Sequence, residues 1–233
     1  VVSYAVSRIM KIDHDIATLV GVGSSICGGS AIAAAAPVIK ASDEDIAQSI
    51  SVIFLFNVIA AFLFPTLGAI LGFNDMGFGM WAGTAINDTS SVVAAGQTWA
   101  SASGSDTALN YATIVKLTRT LAIIPICLGL AYLTSKRKAT TSEVKISSIF
   151  PMFIIYFLGA SIINTFAGSH FDFFQFLPAI GKFMIAMAMA AIGLNTNLVK
   201  LIKTGGKPIL LGLICWFCIA VVSLAMQHLL NIW

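Results

Sequence analysis

Charged residues are scarce in this 233-residue chain: Asp, Glu, Lys and Arg make up 10% of it, whereas hydrophobic residues make up 58%. With a mean hydropathy of +0.93, the chain has too little polar surface to cover a soluble globule of this length. Its apolar runs also lack the strict alternation of a membrane β-barrel. The sequence therefore predicts an all-α integral membrane protein, a polytopic helical bundle with one transmembrane domain over 1–233.

Several functional motifs are missing as well. The sequence has no G-x-x-x-x-G-K-[ST] loop for ATP, no H-E-x-x-H spacing for a metal, and no basic patch interleaved with aromatic residues. We therefore expect no cofactor, no metal site, no nucleic acid and no enzymatic activity. The chain opens at Val1 without a Met or a targeting region, and we interpret it as the C-terminal part of a longer transporter.

The apolar runs are long enough to define membrane spans, since a spanning helix needs about 20 mostly apolar residues. Lys and Arg in alternate loops number nine on one side and two, Lys40 and Lys182, on the other. Because cytoplasmic loops carry the basic excess, this bias predicts a bacterial plasma-membrane protein with Trp233 outside, provided that every segment crosses fully. The predicted spans are 17–39, 47–71, 79–98, 112–133, 148–166, 183–199 and 208–229.

Two of these spans are unusually rich in Gly, Ser, Thr and Asn, at 21–30 and 83–91. This composition favours breaks in the helix, which survive in a membrane only where protein or a watered cavity surrounds the backbone. Aligned from Gly23 and Gly83, the two stretches share Gly, Ile, Ser and Ala positions. The match is compatible with an internal repeat, and also with chance similarity between two Ala- and Gly-rich helices.

The first of these stretches is a candidate solute site. A helix that restarts within the membrane presents free N–H groups and the positive end of its dipole, which suits an anion, and glycine lets the anion approach the backbone. The alternative is that the small residues only permit close helix packing. The candidate substrate-binding residues here are Ser24, Ser25, Cys27, Gly28, Gly29 and Ser30.

The second stretch contains Asp88, the only carboxylate within a predicted span. A charge in that position costs about 2.5–3.5 kcal/mol even on the mildest insertion scale, so Asp88 is a candidate for coupling to a proton or to sodium. Asn87, Thr89 and Ser90 are further candidate substrate-binding residues. The alternative is that Asp88 caps the second half of a broken helix, and both roles are compatible.

Lys116 and Arg119 lie three residues apart, on one face of the fourth predicted span. We predict that these cations neutralise an anionic substrate or Asp88, and they complete the set of candidate substrate-binding residues. The alternative is that both long side chains extend to the membrane surface.

Four stretches resemble signatures of the YeiH-type family of bacterial membrane proteins, which carries the label of sulfate exporter. They are 23–41, 83–96, 116–119 and 187–196. The resemblance implies a fold like those of sodium/proton antiporters and bile-acid-type sodium symporters, with broken helices and inverted repeats. Some relatives have His at the position of Asn87, so a His–acid proton relay implied by those relatives would have to rely on Asp88 alone.

These observations lead to one main hypothesis, a secondary transporter of a small anion, with sulfate as the substrate named by the resemblance. Its partners would be the lipid bilayer, the anionic solute, and a proton or sodium ion, and self-association as a homo-oligomer stays open. The first alternative is a sodium-coupled symporter of organic acids. The others are an intramembrane enzyme with Cys27 or Ser25 as nucleophile, for which no general base is evident, and a passive channel.

Overall fold

The computed structural model describes residues 1–137 and 206–233, together with single positions between 156 and 187. All elements in the two ranges are α-helices, so the predicted all-α class is confirmed. The predicted spans 148–166 and 183–199 lie outside these ranges. The helices are α1 (Val2–Met10), α2 (His14–Ser25), α3 (Gly29–Ile39), α4 (Asp43–Ile70), α5 (Asp75–Ala85), α6 (Thr89–Ser103), α7 (Thr107–Thr120), α8 (Ile123–Arg137) and α9 (Gly206–Leu229).

Three segments of the described residues are long and apolar enough to cross a membrane: Asp43–Ile70, Thr107–Thr134 and Gly206–Leu229. They correspond to the predicted spans that begin at 47, 112 and 208. The second combines α7 and most of α8, which a turn at 121–122 separates. A 28-residue helix rises about 42 Å, which exceeds the roughly 30 Å of membrane hydrocarbon.

Helices α2 and α3 fold back on each other, whereas the sequence predicted that this segment crosses the membrane. A Cβ atom added at Gly23 in α2 would lie 2.9 Å from the Ile32 side chain in α3, so the two helices lie side by side. Carboxylate oxygens of Asp13 and Asp15, at the start of α2, lie within 4.8 Å of one on Asp45, at the start of α4. The chain thus leaves at the end where it entered, and we call α2–α3 the first hairpin.

Helices α5 and α6 also fold back, which corrects the predicted crossing at 79–98. Trp99, near the end of α6, donates from Nε1 to Asp75 Oδ1 at 2.8 Å, and Asp75 is the first residue of α5. The Trp99 ring also stacks on Phe78 of α5 with centroids 4.1 Å apart. We call α5–α6 the second hairpin.

Each half-helix is too short to cross a membrane by itself. The four hairpin helices contain 11 to 15 residues each. That length gives a rise of about 17–22 Å, enough to reach the middle of the membrane but not to cross it. The combined length of each broken segment suggested a span. The structure shows instead that the chain reverses at the break, so the two halves run in opposite directions.

The two hairpins enter the bundle from opposite ends. We call the end with Asp13 the first end; α4 runs from there to the second end, where the second hairpin begins. Helix α9 also reaches the second end, because Asn74 Nδ2 donates to the Trp233 carbonyl and the Phe73 and Trp233 rings lie 4.5 Å apart. An apolar cluster surrounds each hairpin and includes Leu19 and Ile32 at the first. Phe78 belongs to the cluster at the second.

The reversal changes where two charged groups lie. Lys40 and the acidic turn 43–45, predicted to lie opposite Lys11, lie at the same end as Lys11. The connections at the second end within the described residues, 71–74 and 104–106, contain no Lys or Arg. Since two reversals leave the direction of the later helices unchanged, the basic residues still predict a cytoplasmic first end and an external Trp233.

Candidate functional site

The two hairpin tips meet in the interior of the bundle. Each tip is a three-residue interruption, 26–28 in the first hairpin and 86–88 in the second. The predicted helix breaks in both glycine- and serine-rich stretches are therefore confirmed. At the first tip, Gly28 has φ +72° and ψ −125°, a conformation that side-chain-bearing residues rarely adopt, and this explains why glycine stands there.

Lys116 joins the two tips. Its Nζ donates to the Ile26 carbonyl at 2.7 Å and to the Ile86 carbonyl at 3.1 Å. Its side chain is fully buried, with 0% of its surface exposed, so the alternative that it extends to the membrane surface is wrong. Both acceptors lie just after the last residue of a half-helix, where carbonyl groups lack intrahelical partners and the dipole is negative.

Arg119 bonds to the same helix ends one turn further along. Its Nε donates to the Ser25 carbonyl at 2.9 Å and one terminal nitrogen, Nη2, donates to the Ser24 carbonyl at 2.6 Å. The other, Nη1, donates to the Thr84 carbonyl in α5. Nη2 also lies 3.5 Å from Asn87 Oδ1. The two cations thus stabilise the negative ends of α2 and α5 together.

Asp88 forms the N-cap of α6. Its Oδ2 accepts from the backbone N–H groups of Ser90 at 3.1 Å and Ser91 at 3.3 Å, and also from the Ser90 hydroxyl. The capping alternative is therefore confirmed, while coupling to an ion stays a prediction. In the described part of the chain, the one ion pair within 4.0 Å joins His14 and Asp15, so neither Lys116 nor Arg119 pairs directly with Asp88.

Asn57 in α4 belongs to the site and was missed by sequence reasoning. It is completely buried, and its Oδ1 accepts from the backbone N–H of Asn87 at 3.1 Å. The available signal was a lone amide in the middle of an apolar span, since a polar side chain in that position needs a partner inside the bundle.

Several buried polar atoms at the tips have no hydrogen-bond partner among the described residues. A buried donor left in this state costs about 1–3 kcal/mol, so each such atom indicates a missing partner. They are Ser24 Oγ, Asn57 Nδ2, Asn87 Nδ2 and Ser91 Oγ.

A cavity of about 880 Å³ extends from the first end to the tips. His14 and Thr134 line it at the first end, and Ser24, Ser25 and Arg119 line it at its inner limit. Thr84 and Ser223, whose hydroxyl oxygens lie 2.5 Å apart, also line it and connect α5 to α9.

The remaining predicted residues lie around the tips in different environments. Cys27 is buried in the apolar cluster of the first hairpin. Ser30 is exposed on α3, whereas Thr89 and Ser90 are half-buried at the start of α6. The structure therefore brings Ser24, Asn87, Lys116 and Arg119 together with Asp88 nearby, but it does not direct every predicted side chain to one point.

The side chains at the tips carry an excess of positive charge. Each half-helix end contributes roughly half an elementary charge, and the two negative ends offset the two positive ends. When all three side chains are counted as charged, Lys116 and Arg119 add two positive charges and Asp88 adds one negative charge. One net positive charge is left inside the membrane-spanning bundle, where a single charge is costly unless an anion or a hydrogen-bond network offsets it.

Comparison with known proteins identifies relatives along the whole chain. It is 58% identical over 239 residues to a UPF0324 membrane protein of Streptococcus mutans, covering 99% of this chain and 70% of that protein. A UPF0324 membrane protein of Fusobacterium nucleatum is 53% identical over 247 residues, covering 100% of this chain and 71% of that protein. No solved structure matches the chain.

These relatives are named as membrane proteins of bacteria, which agrees with the helices described above. Residues 1–212 match the family described as conserved hypothetical protein 698, and this match confirms the family predicted from the four sequence stretches. The chain belongs to this conserved UPF0324 family of membrane proteins.

Proposed function

We propose that this protein is a secondary transporter that moves a small anion across the bacterial plasma membrane. The observation that carries the proposal is the meeting of two hairpin tips, entering from opposite ends, around the buried Lys116 and the half-buried Arg119. Non-helical backbone at membrane depth persists where protein buries it or where it lines a cavity, and transporters place their solutes at such interruptions. The excess positive charge at the tips favours an anion as the solute.

The cavity supports a carrier that is open at one end. It connects the first end to Ser24 and Arg119, and beyond that point Lys116 bonds to both tips, which we interpret as closing the path. Release at the second end would require the hairpins to move against α4 or α7, which is the alternating access of a carrier. The proposal includes neither enzymatic chemistry at Cys27 nor an open channel.

Asp88 is our candidate for coupling transport to a proton or sodium gradient. It is half-buried, caps α6 and lies next to Asn87 at the meeting point of the tips. A proton or a sodium ion binding there would remove the negative charge that partly offsets the two cations, which changes how strongly the tips attract an anion. A sodium-coupled symporter of organic acids differs from a sulfate exporter in the ion and the substrate, not in this arrangement.

The test is flux of radiolabelled sulfate into proteoliposomes of the natural full-length protein under imposed proton and sodium gradients. Wild type is compared with Asp88→Asn, which keeps the capping oxygen and removes the charge. Asp106→Asn is the matched control, because Asp106 is exposed at the start of α7 and its side chain makes no capping bond.

We expect gradient-driven flux in wild type and in the control, and its loss in Asp88→Asn. Wild-type flux that ignores both gradients would remove the coupling role. No flux with sulfate, sulfite, sulfonates or organic acids would contradict anion transport itself.

A further inference from the structure

Asn57 is placed in the site as a hydrogen-bond donor without an acceptor. It lies in the middle of α4, and its Oδ1 accepts from the backbone N–H of Asn87 at 3.1 Å. That bond determines which side of the amide is oxygen, so the NH₂ group must point the other way. Among the described residues this buried NH₂ group finds no acceptor.

Asn87 repeats this arrangement. Its Oδ1 faces Arg119 Nη2 at 3.5 Å, and the cation orients the amide in the same manner. Its NH₂ group is also buried and has no acceptor in the described part of the chain. We call Asn57 and Asn87 the amide pair; together they hold four N–H bonds without an acceptor in the described part of the chain.

The start of α3 lies beside the amide pair. Gly28 is its N-cap, and no side chain caps the helix there. A Cβ atom added at Gly28 would lie 3.5 Å from Asn57 Nδ2 and 3.6 Å from the Asn87 carbonyl, which is ordinary contact distance. The Asn57 NH₂ group therefore lies against the start of α3, next to the positive end of that helix.

The hydrogen-bonding groups at this position determine whether it suits an anion or a cation. A sodium ion needs oxygen ligands, whereas both free side-chain groups here are donors. An oxygen atom of an anion accepts hydrogen bonds and is stabilised by the helix end. The two NH₂ groups of the amide pair are consequently suited to an oxyanion and not to a cation.

We propose that the amide pair and the start of α3 bind an oxygen atom of a small oxyanion directly, which makes Asn57 a substrate-binding residue. The inference rests on the proposed anion transport and assigns part of its substrate site. Arg119 and Lys116 contribute positive charge close to the amide pair, while most of their hydrogen bonds go to helix carbonyls.

The experiment measures equilibrium binding of radiolabelled sulfate and its flux at pH 8, using the natural full-length protein and two variants. Asn57→Asp keeps an oxygen for the Asn87 N–H but replaces the NH₂ donor with a second oxygen. Asn57→Leu removes the donor and the acceptor. The matched control is Asn110→Asp, on an exposed position of α7.

We expect at least a tenfold loss of sulfate affinity in both Asn57 variants and none in the control. A thermal unfolding curve without sulfate checks that each variant is folded. If Asn57→Leu does not fold, the comparison rests on Asn57→Asp. Sulfate should raise the unfolding temperature of wild type and of the control, but not that of the Asn57 variants.

Two results would overturn the inference, and they are distinguishable. If wild type transports and binds sulfate and Asn57→Asp does so equally well, Asn57 only positions the tip and anion transport stands. If wild type neither binds nor transports sulfate, phosphate, nitrate or a carboxylate, the proposed function fails together with this inference.

Discussion

The two hairpins are built alike up to their tips and differ immediately after them. Helix α2 ends at Ser25 and α5 at Ala85, α3 begins at Gly29 and α6 at Thr89, and each pair lies 60 residues apart. Lys116 bonds to Ile26 and Ile86, which are again 60 residues apart. The alignment that matches Gly23 with Gly83 uses the same offset, so the structure supports an internal repeat over chance similarity.

The difference lies at the position where the second half of each hairpin begins. The second hairpin has Asp88 there, and its carboxylate accepts two backbone N–H groups of α6. The first hairpin has Gly28 at the equivalent position, and no side chain caps α3. A carboxylate therefore caps the positive end of α6, whereas the positive end of α3 has no side-chain cap, so two similar elements differ at their tips.

The largest expected effect comes from removing Lys116, whose side chain bonds to both hairpin tips. Lys116→Met deletes both bonds between the tips and leaves the carbonyls of Ile26 and Ile86 unsatisfied. We expect anion flux to fall at least 100-fold and the unfolding temperature to drop, because each buried carbonyl left unpaired costs about 1–3 kcal/mol. Lys207→Met, on an exposed residue of α9, should change neither measurement. Normal flux in Lys116→Met would show that the tips need no common cation.

The second prediction concerns a methyl group added at Gly28, the position at which the first hairpin differs from the second. Gly28→Ala should lower stability by about 1–3 kcal/mol through its strained backbone, and should also weaken sulfate binding because the new methyl group shields the Asn57 NH₂ nitrogen, 3.5 Å away, from a ligand. Gly104→Ala is the control, since Gly104 has φ +74° and open space around it. It should cost about 1–2 kcal/mol and leave sulfate binding intact. Equal binding by both variants would place the ligand elsewhere.

The smallest expected effect comes from two substitutions of Asp88, which distinguish the loss of the α6 cap from the loss of the negative charge. Asp88→Ala removes the cap of α6 and should lower the free energy of unfolding by about 0.5–2 kcal/mol. Asp88→Asn keeps a capping oxygen and should stay close to wild type in thermal unfolding, although we expect it to lose gradient coupling. Equal destabilisation by the two variants would mean that the charge, not the cap, holds the start of α6.

Much of the site could be predicted from residue types. The short runs of Gly, Ser and Asn marked both helix breaks, and the isolated charges of Asp88, Lys116 and Arg119 marked the interior of the bundle. Such residues are costly in an apolar span, so each one indicates a specific partner. The partner itself was not predictable, because Lys116 binds carbonyl groups that every residue possesses and Asn57 binds a backbone N–H.

The amino-acid sequence by itself determined the membrane class, the family, the all-α architecture and the positions of both breaks, because these depend on local composition and on helix propensity. Tertiary structure alone decided that the broken segments reverse instead of crossing, that Lys40 lies at the same end as Lys11, and that Asn57 joins the site. The reason is physical: a broken helix can continue or fold back at equal local cost. Contacts between residues far apart in the chain, such as that of Asp75 with Trp99, select the reversal.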